Sequence, residues 1–226
     1  MPLVQIGEPA DWRPVDQAIA NLHRYQWLVF TSANGVHAFV RRMRQQGEDL
    51  AARDRLRLAA IGPGTAEVLS RYGVEADVIP QQFRSEELAR ALKERVAGSR
   101  VLLARADRGR DILREELANV AAVEQIAVYS QTDIADVDTQ ALGLLRRGEV
   151  DYVTVTSSSI ARALARVLDD SCRRHVEAGR VKLVSISPVT SAVLKEEDLP
   201  VAREATAYTM AGMVQALLAL AREAVG

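Results

Sequence analysis

Trp27-Leu28-Val29-Phe30-Thr31-Ser32-Ala33-Asn34-Gly35-Val36 opens as an apolar run of strand length, breaks into small polar residues and continues as a helical pattern. The same signature returns in Tyr152-Val153-Thr154-Val155-Thr156-Ser157-Ser158-Ser159-Ile160-Ala161. Further on, Ala60-Ile61-Gly62-Pro63-Gly64-Thr65-Ala66 returns as Ser185-Ile186-Ser187-Pro188-Val189-Thr190-Ser191. Thr31 aligns with Thr156, Pro63 with Pro188, Thr65 with Thr190, Leu69 with Leu194 and Leu92 with Leu217, each 125 positions later. The chain therefore holds two copies of one βαβα pattern. Each copy puts small polar residues where a strand hands over to a helix. Ligands of open α/β sheets bind at such places, and the free N–H groups and dipole of a helix start favour anions there. The pattern implies two similar domains facing a shared, anion-friendly cleft.

Other apolar runs extend the pattern. Strands are expected at Trp27 to Thr31, Leu58 to Ile61, Ala76 to Ile79, Arg100 to Ala104 and Val123 to Tyr129, then at Tyr152 to Thr156, Lys182 to Ile186 and Pro200 to Ala202. Apolar residues three and four apart predict helices over Val36 to Arg44, Thr65 to Tyr72, Ser85 to Val96, Asp111 to Asn119, Ile160 to Leu168, Thr190 to Lys195 and Thr209 to Ala224. Strands alternating with helices make parallel sheets. Met1 to Ile6 supplies one short strand at most, and the Asp-rich stretch Thr132 to Thr139 reads as a connector. The first half has strands enough for a flavodoxin-like sheet, while the second half is short of an opening strand.

Composition narrows the function classes. The 226 residues suffice for one or two cores, and 48% apolar with 26% charged residues is the makeup of a soluble globular protein. A net charge of −1 argues against nonspecific nucleic-acid binding, which relies on excess Lys and Arg. The one cysteine, Cys172, excludes an intrachain disulfide and reads as a structural thiol of a reducing, cytoplasmic setting. No apolar run has the roughly 18 residues of a membrane span, and Met1-Pro2-Leu3-Val4-Gln5-Ile6 is no signal peptide. His23, His37 and His175 are scattered, so no metal site is expected. Neither a phosphate-loop nor a dinucleotide-binding glycine pattern occurs, nor is a nucleophile–base–orienter set apparent.

The ordered motifs Phe30-Thr31-Ser32-Ala33-Asn34-Gly35-Val36, Ile61-Gly62-Pro63-Gly64-Thr65-Ala66, Arg105-Ala106-Asp107-Arg108-Gly109-Arg110-Asp111, Ile126-Ala127-Val128-Tyr129, Asp151 to Ser158 and Ser185 to Thr190 resemble those of the uroporphyrinogen-III synthase family over essentially the whole chain. The resemblance implies two flavodoxin-like parallel-sheet α/β domains joined by a two-stranded linker, with a cleft between them. One domain, about 9–130, would be continuous. The other would comprise 131–226 with 1–8 as a linker strand, and would lack most of the family's opening strand–helix–strand. A late start or a shortened chain is the expected reason, and the C-terminal half is then expected to be the less protected one. The implied activity is cyclisation of the linear tetrapyrrole hydroxymethylbilane to uroporphyrinogen III, with inversion of ring D through a spiro intermediate. No cofactor is implied, and a monomer acting in the cytoplasm without nucleic acid or membrane is expected. A noncatalytic tetrapyrrole- or anion-binding regulatory module of the same fold is the alternative.

The candidate residues follow. Thr31, Ser32, Asn34 and Gly35 in one copy, and Ser157, Ser158 and Ser159 in the other, precede helices. They read as N-caps, as substrate-binding residues, or as both, since capping and carboxylate binding use the same N–H groups. Pro63, Gly64 and Thr65, with Pro188 and Thr190, form the second pair of turns. Gly64 leaves room for a ligand, and the Thr65 and Thr190 hydroxyls are possible shared donors. Arg105, Arg108 and Arg110 lie on one loop, either as forks for substrate carboxylates or as a solvated ion-paired loop. A strand-end tyrosine such as Tyr129 is commonly an amphipathic plug. The resemblance implies instead a catalytic role for it, assisting departure of the substrate hydroxyl.

Overall fold

A computed structural model describes residues 1–52, 55–134 and 138–223. The chain divides into two compact units, Ile6–Gln131 and Met1–Gln5 with Thr132–Gly226. In chain order the elements are β1 (Val4–Gly7), α1 (Arg13–Ala20), β2 (Trp27–Phe30), α2 (Ala33–Gln45), β3 (Arg57–Ala60), α3 (Pro63–Arg71), α4 (Ser85–Lys93), β4 (Arg100–Ala106), α5 (Ile112–Ala118) and β5 (Ala122–Asp133). They continue with α6 (Thr139–Arg146), β6 (Tyr152–Val155), α7 (Ser158–Val167), α8 (Asp170–Glu177), β7 (Lys182–Ser185), α9 (Pro188–Glu196), β8 (Val201–Glu204) and α10 (Met210–Glu223). The division falls within β1 and within β5.

In the first unit the strand order is β1-β5-β4-β2-β3, and β2 runs parallel to both β3 and β4, as β4 does to β5. Side chains alternate across a strand, so each buried strand feeds two cores. Leu28 and Phe30 of β2 and Leu102 and Ala104 of β4 join a cluster that α1, α2 and α3 cover through Ile19, Phe39, Met43 and Leu69. Trp27, Val29, Val101 and Leu103 point the other way, onto Leu88 and Leu92 of α4 and Leu113 and Leu117 of α5. Continuous apolar runs and parallel pairing thus have one cause, coverage of both faces. The chain order reverses between β2 and β4, which makes the carboxyl ends of these two strands the switch point of the sheet.

In the second unit β7 lies between β6 and β8, all parallel. Leu183 of β7 packs with α6 to α9 through Leu145, Leu164, Cys172 and Leu194. Val184, on the opposite face, packs with Met213, Ala216 and Leu220 of α10. Cys172 is buried in the first of these cores, and burial, with Asp169 beside it, pushes its thiol upward in pKa.

Three readings of local structure are corrected, and part of a fourth lies outside the described residues. Ala76 to Ile79 forms only an isolated parallel bridge, Ala59 to Val78. The carboxylate of Asp77 takes the Leu58 N–H at 2.7 Å, and Pro80 follows, so a backbone ladder cannot develop. The connector expected at Thr132 to Thr139 is divided instead. Its start belongs to β5, its end begins α6 under the cap of Asp138, and 135–137 lie outside the described residues. Ala224, the expected end of the last helix, is also outside them. The first long helix begins at Ala33 rather than near Val36, which places Asn34 and Gly35 inside its first turn.

Candidate functional site

The carboxyl end of β2 becomes the start of α2 through Thr31 and Ser32. Ser32 is extended (φ −166°, ψ 155°), and its Oγ accepts the Gly35 N–H at 3.0 Å, the geometry of a serine N-cap. Gly35 lets this turn lie close to β4, because an added Cβ there would come 3.4 Å from the Ala104 carbonyl and 3.3 Å from Ser32 Oγ.

Tyr129 reaches the same Ser32 hydroxyl from β5, with 3.0 Å between the two oxygens. Its ring is buried at 5% exposure. Two residues on, and so on the same side of the strand, Gln131 donates Nε2–H to the Tyr129 hydroxyl at 3.4 Å. Gln131 Oε1 accepts from Arg108 Nε, also at 3.4 Å. The register of β4 on β5 slips by one residue here: Arg105 pairs with Ala127 but Ala106 with Tyr129. The bulge aims Tyr129 and Gln131 past the end of β4. Asp107 locks it by donating its N–H to the Tyr129 carbonyl at 3.0 Å while its carboxylate accepts the Gln131 N–H at 3.0 Å.

Tyr129 forms part of the wall of an open pocket of about 880 Å³ within the first unit. One wall is α2, which contributes Asn34, His37, Ala38, Arg41, Arg44 and Gln45; Ile6, Gly7, Glu8, Tyr72 and Val128 complete the lining with Tyr129. His37 Nδ1 lies 2.8 Å from the Tyr72 hydroxyl, and the Arg44 guanidinium stacks 4.9 Å over the Tyr72 ring. Large apolar surface with a few convergent polar groups is the usual makeup of a small-molecule site.

Of the residues singled out in the sequence, Ser32, Asn34 and Tyr129 come together here, with Thr31 and Gly35 in the turn beside them. The arginine loop separates into three fates. Arg105 is buried, and its Nη1 donates to the Arg110 carbonyl at 2.8 Å and to Asp111 at 3.2 Å, so its fork holds the loop's own shape. Arg110 pairs with Glu86 of α4 at 2.7 Å. Arg108 alone of the three reaches toward Tyr129, through Gln131. At the next turn Gly62 caps α3 where its repeat partner is a serine. A Cβ at Gly62 would press on Phe83 at 3.1 Å, which explains the glycine. Pro63 opens that helix and Thr65 is buried, whereas Gly64 faces open space.

The second unit repeats the turn chemistry. Ser157 caps α7, accepting the Ile160 N–H at 3.2 Å, and Ser158 and Ser159 form the first turn. Ser187 caps α9, where Pro188 is the first residue; its Oγ lies 3.4 Å from the Thr190 N and 3.2 Å from the hydroxyl of buried Thr190. Ser185 and Ser191 hydroxyls, 2.5 Å apart, tie β7 to α9, and Ser191 donates to Glu204 at 2.5 Å.

Sequence patterns did not single out Gln131, which sits in a polar run of connector-like composition. Nor did they single out Arg41, Arg44 and Tyr72, which the helical period alone leaves on a solvated face. Among the described residues no cluster of three or more His, Cys, Asp or Glu could hold a metal ion, and no helix is long and apolar enough to cross a membrane.

Parallel sheets covered on both faces, capped turns at the strand ends and a half-apolar pocket beside a switch point define an α/β protein of the kind whose site opens at the carboxyl ends of its strands. Comparison with known sequences narrows the class. The chain belongs to the uroporphyrinogen-III synthase family: the family model described as uroporphyrinogen-III synthase HemD matches residues 1–215. The uroporphyrinogen-III synthase of Synechococcus elongatus is 31% identical over 227 residues, covering 99% of this chain and 86% of that protein. Among solved structures, a mutant uroporphyrinogen III synthase from the extreme thermophile Thermus thermophilus superposes with a TM-score of 0.70 at 18% identity, covering 98% of this chain and 88% of that one. The synthetase from Helicobacter pylori 26695 gives 0.64 at 16% identity, over 97% and 92% of the two chains. At these identities the two structures speak to the fold.

Proposed function

We propose that this protein is a uroporphyrinogen-III synthase, a lyase that closes hydroxymethylbilane to uroporphyrinogen III with inversion of ring D. The observation that carries the reading is the family match along residues 1–215. The pocket supports it: a tyrosine hydroxyl held by two neighbours stands at the edge of an open, partly apolar, partly cationic space. We read the two units as flavodoxin-like domains, about 9–130 and 131–226 with 1–8, linked through β1 and β5. The alternative of a noncatalytic regulatory module is not favoured by relatives named as synthases.

The chemistry asks little of the protein beyond placement and one proton. In the proposed mechanism Tyr129 donates its proton to the terminal hydroxyl of the substrate as the C–O bond breaks, releasing water and leaving an azafulvene cation. The substituted carbon of ring D attacks that cation to form the spiro intermediate. This fragments and recloses through the other ring position, and the proton lost there restores the tyrosine. Gln131 supplies a hydrogen to the Tyr129 oxygen, and with the Ser32 hydroxyl turned to donate as well the tyrosine's own proton is free to point at the substrate. Holding the reacting carbons in reach accounts for the remaining acceleration. Thr31 and Asn34, and in the repeat Ser157, Ser158 and Ser159, offer helix-start N–H groups to substrate carboxylates, while Gly35, its N–H given to Ser32, lets the turn lie close to β4. Pro63, Gly64 and Thr65 with Pro188 and Thr190 shape the equivalent second turns. Arg108 is the loop arginine placed to help, whereas Arg105 and Arg110 brace the loop.

The test is product identity. Hydroxymethylbilane closes spontaneously to the type I isomer. Purified protein treated with a chelator should redirect it to type III, and chromatography that finds type I alone at high protein concentration would overturn the reading.

A further inference from the structure

Asn34, His37, Arg41 and Arg44 are spaced three, four and three residues apart on α2 and all line the pocket that contains Tyr129. That spacing makes one stripe along a helix. The stripe starts beside Ser32 and Tyr129 and extends about 15 Å to Arg44, at 1.5 Å per residue. Among the described residues, neither Arg41 nor Arg44 has a carboxylate partner within ion-pair distance. Arg42, next in sequence but facing elsewhere, donates to both oxygens of Asp16 at 2.6 Å. Arg44 instead sits over the Tyr72 ring, with its guanidinium carbon 4.9 Å from the ring centre. The lining also contains Ile6 and Val128, and its single acid, Glu8, receives the Trp12 indole N–H at 3.3 Å. Two guanidinium groups without a carboxylate partner in a pocket that also has apolar lining suit a ligand with flat apolar bodies and carboxylates at their edges.

We propose that Arg41 and Arg44, with His37 between them and the reacting end, form a carboxylate subsite that sets the direction of the substrate. The hydroxymethyl end lies at Tyr129, and the rings remote from it run along α2 with their acidic side chains on the two arginines. This deepens the synthase reading and rests on it. The stripe then explains how a linear molecule built of similar rings presents the correct end to the tyrosine. It also separates binding from chemistry, because the arginines stand two to three helical turns from the Tyr129 end.

The experiment uses the full chain and the variants Arg41→Gln, Arg44→Gln and the pair together. Both side chains are exposed, so folding is expected to be unaffected, and thermal melts check this. Fluorescence quenching compares uroporphyrin I, with eight carboxylates, and coproporphyrin I, with four, as stable probes. Loss of one charge-assisted contact should weaken uroporphyrin binding and raise KM about tenfold, with kcat nearly unchanged. The double variant should lose the preference for the octacarboxylate. Unchanged KM and unchanged probe preference in a folded double variant would overturn the subsite. If the unaltered protein binds uroporphyrin through these arginines but makes no type III product, the synthase reading fails while the subsite stands.

Discussion

Tyr129 and Gln131 leave the same side of one strand, and that alternation turns a polar run into part of a site. The sequence made the tyrosine legible, since it ends an apolar strand within a recognisable motif. Gln131 was hidden because Ser130-Gln131-Thr132-Asp133 lacks the apolar period of a buried strand, although it continues β5. If Tyr129 supplies the proton, Tyr129→Phe should slow turnover on the order of 10²-fold, the lower range for general acid catalysis, while the product stays type III. An unchanged rate would reduce the residue to packing. Gln131→Leu should lower kcat by a smaller factor, with KM preserved, because it removes a hydrogen bond to the acid rather than the acid. Steady-state kinetics separate the two outcomes, and a rise in KM alone would place Gln131 among the binding groups.

At the scale of elements, most strands and helices were legible because apolar period and burial agree in a sheet covered on both faces. The failures have local causes. Asp77 substitutes a side-chain oxygen for a strand neighbour, and Asp138 starts a helix inside a stretch whose aspartates read as loop. The caps expected at the strand ends are present, and one of them doubles as a site contact. Ser32→Ala should cost about 1 kcal/mol of stability as a lost N-cap and should also reduce kcat through the lost contact to Tyr129. Weaker resistance to urea together with a normal kcat would contradict the second role. At α8, the cap Asp169 accepts the Cys172 N–H at 3.0 Å and an Arg146 contact at 2.6 Å, which together hold its carboxyl at about 2, below the ordinary 3.8. A depressed value in the folded state stabilises the fold above the ordinary pKa, and this stability is lost as pH falls through about 2. Thermal melts between pH 5 and 2 should therefore fall more steeply for the unaltered protein than for Asp169→Asn. Equal slopes would mean that the carboxylate contributes nothing there.

For the whole molecule, the internal duplication was the feature that sequence reported best, since the repeated turns recur as capped strand ends in each unit. What it could not report is which arginines face a pocket. Arg41, Arg42 and Arg44 have the same chemistry in the sequence, and only the packing of α2 against α1, α3, β2 and β4 separates the pocket pair from the one tied to Asp16. If this chain folds hydroxymethylbilane so that ring D inverts, using placement and one tyrosine proton, the isomer ratio of the product reports it. The ratio of type III to type I is measured as protein concentration rises against the spontaneous background, with chelator present and no nucleotide added. Type III should rise in proportion to protein and approach the whole of the product at saturation. A ratio that stays at the spontaneous value at every protein concentration would contradict both the placement and the proton.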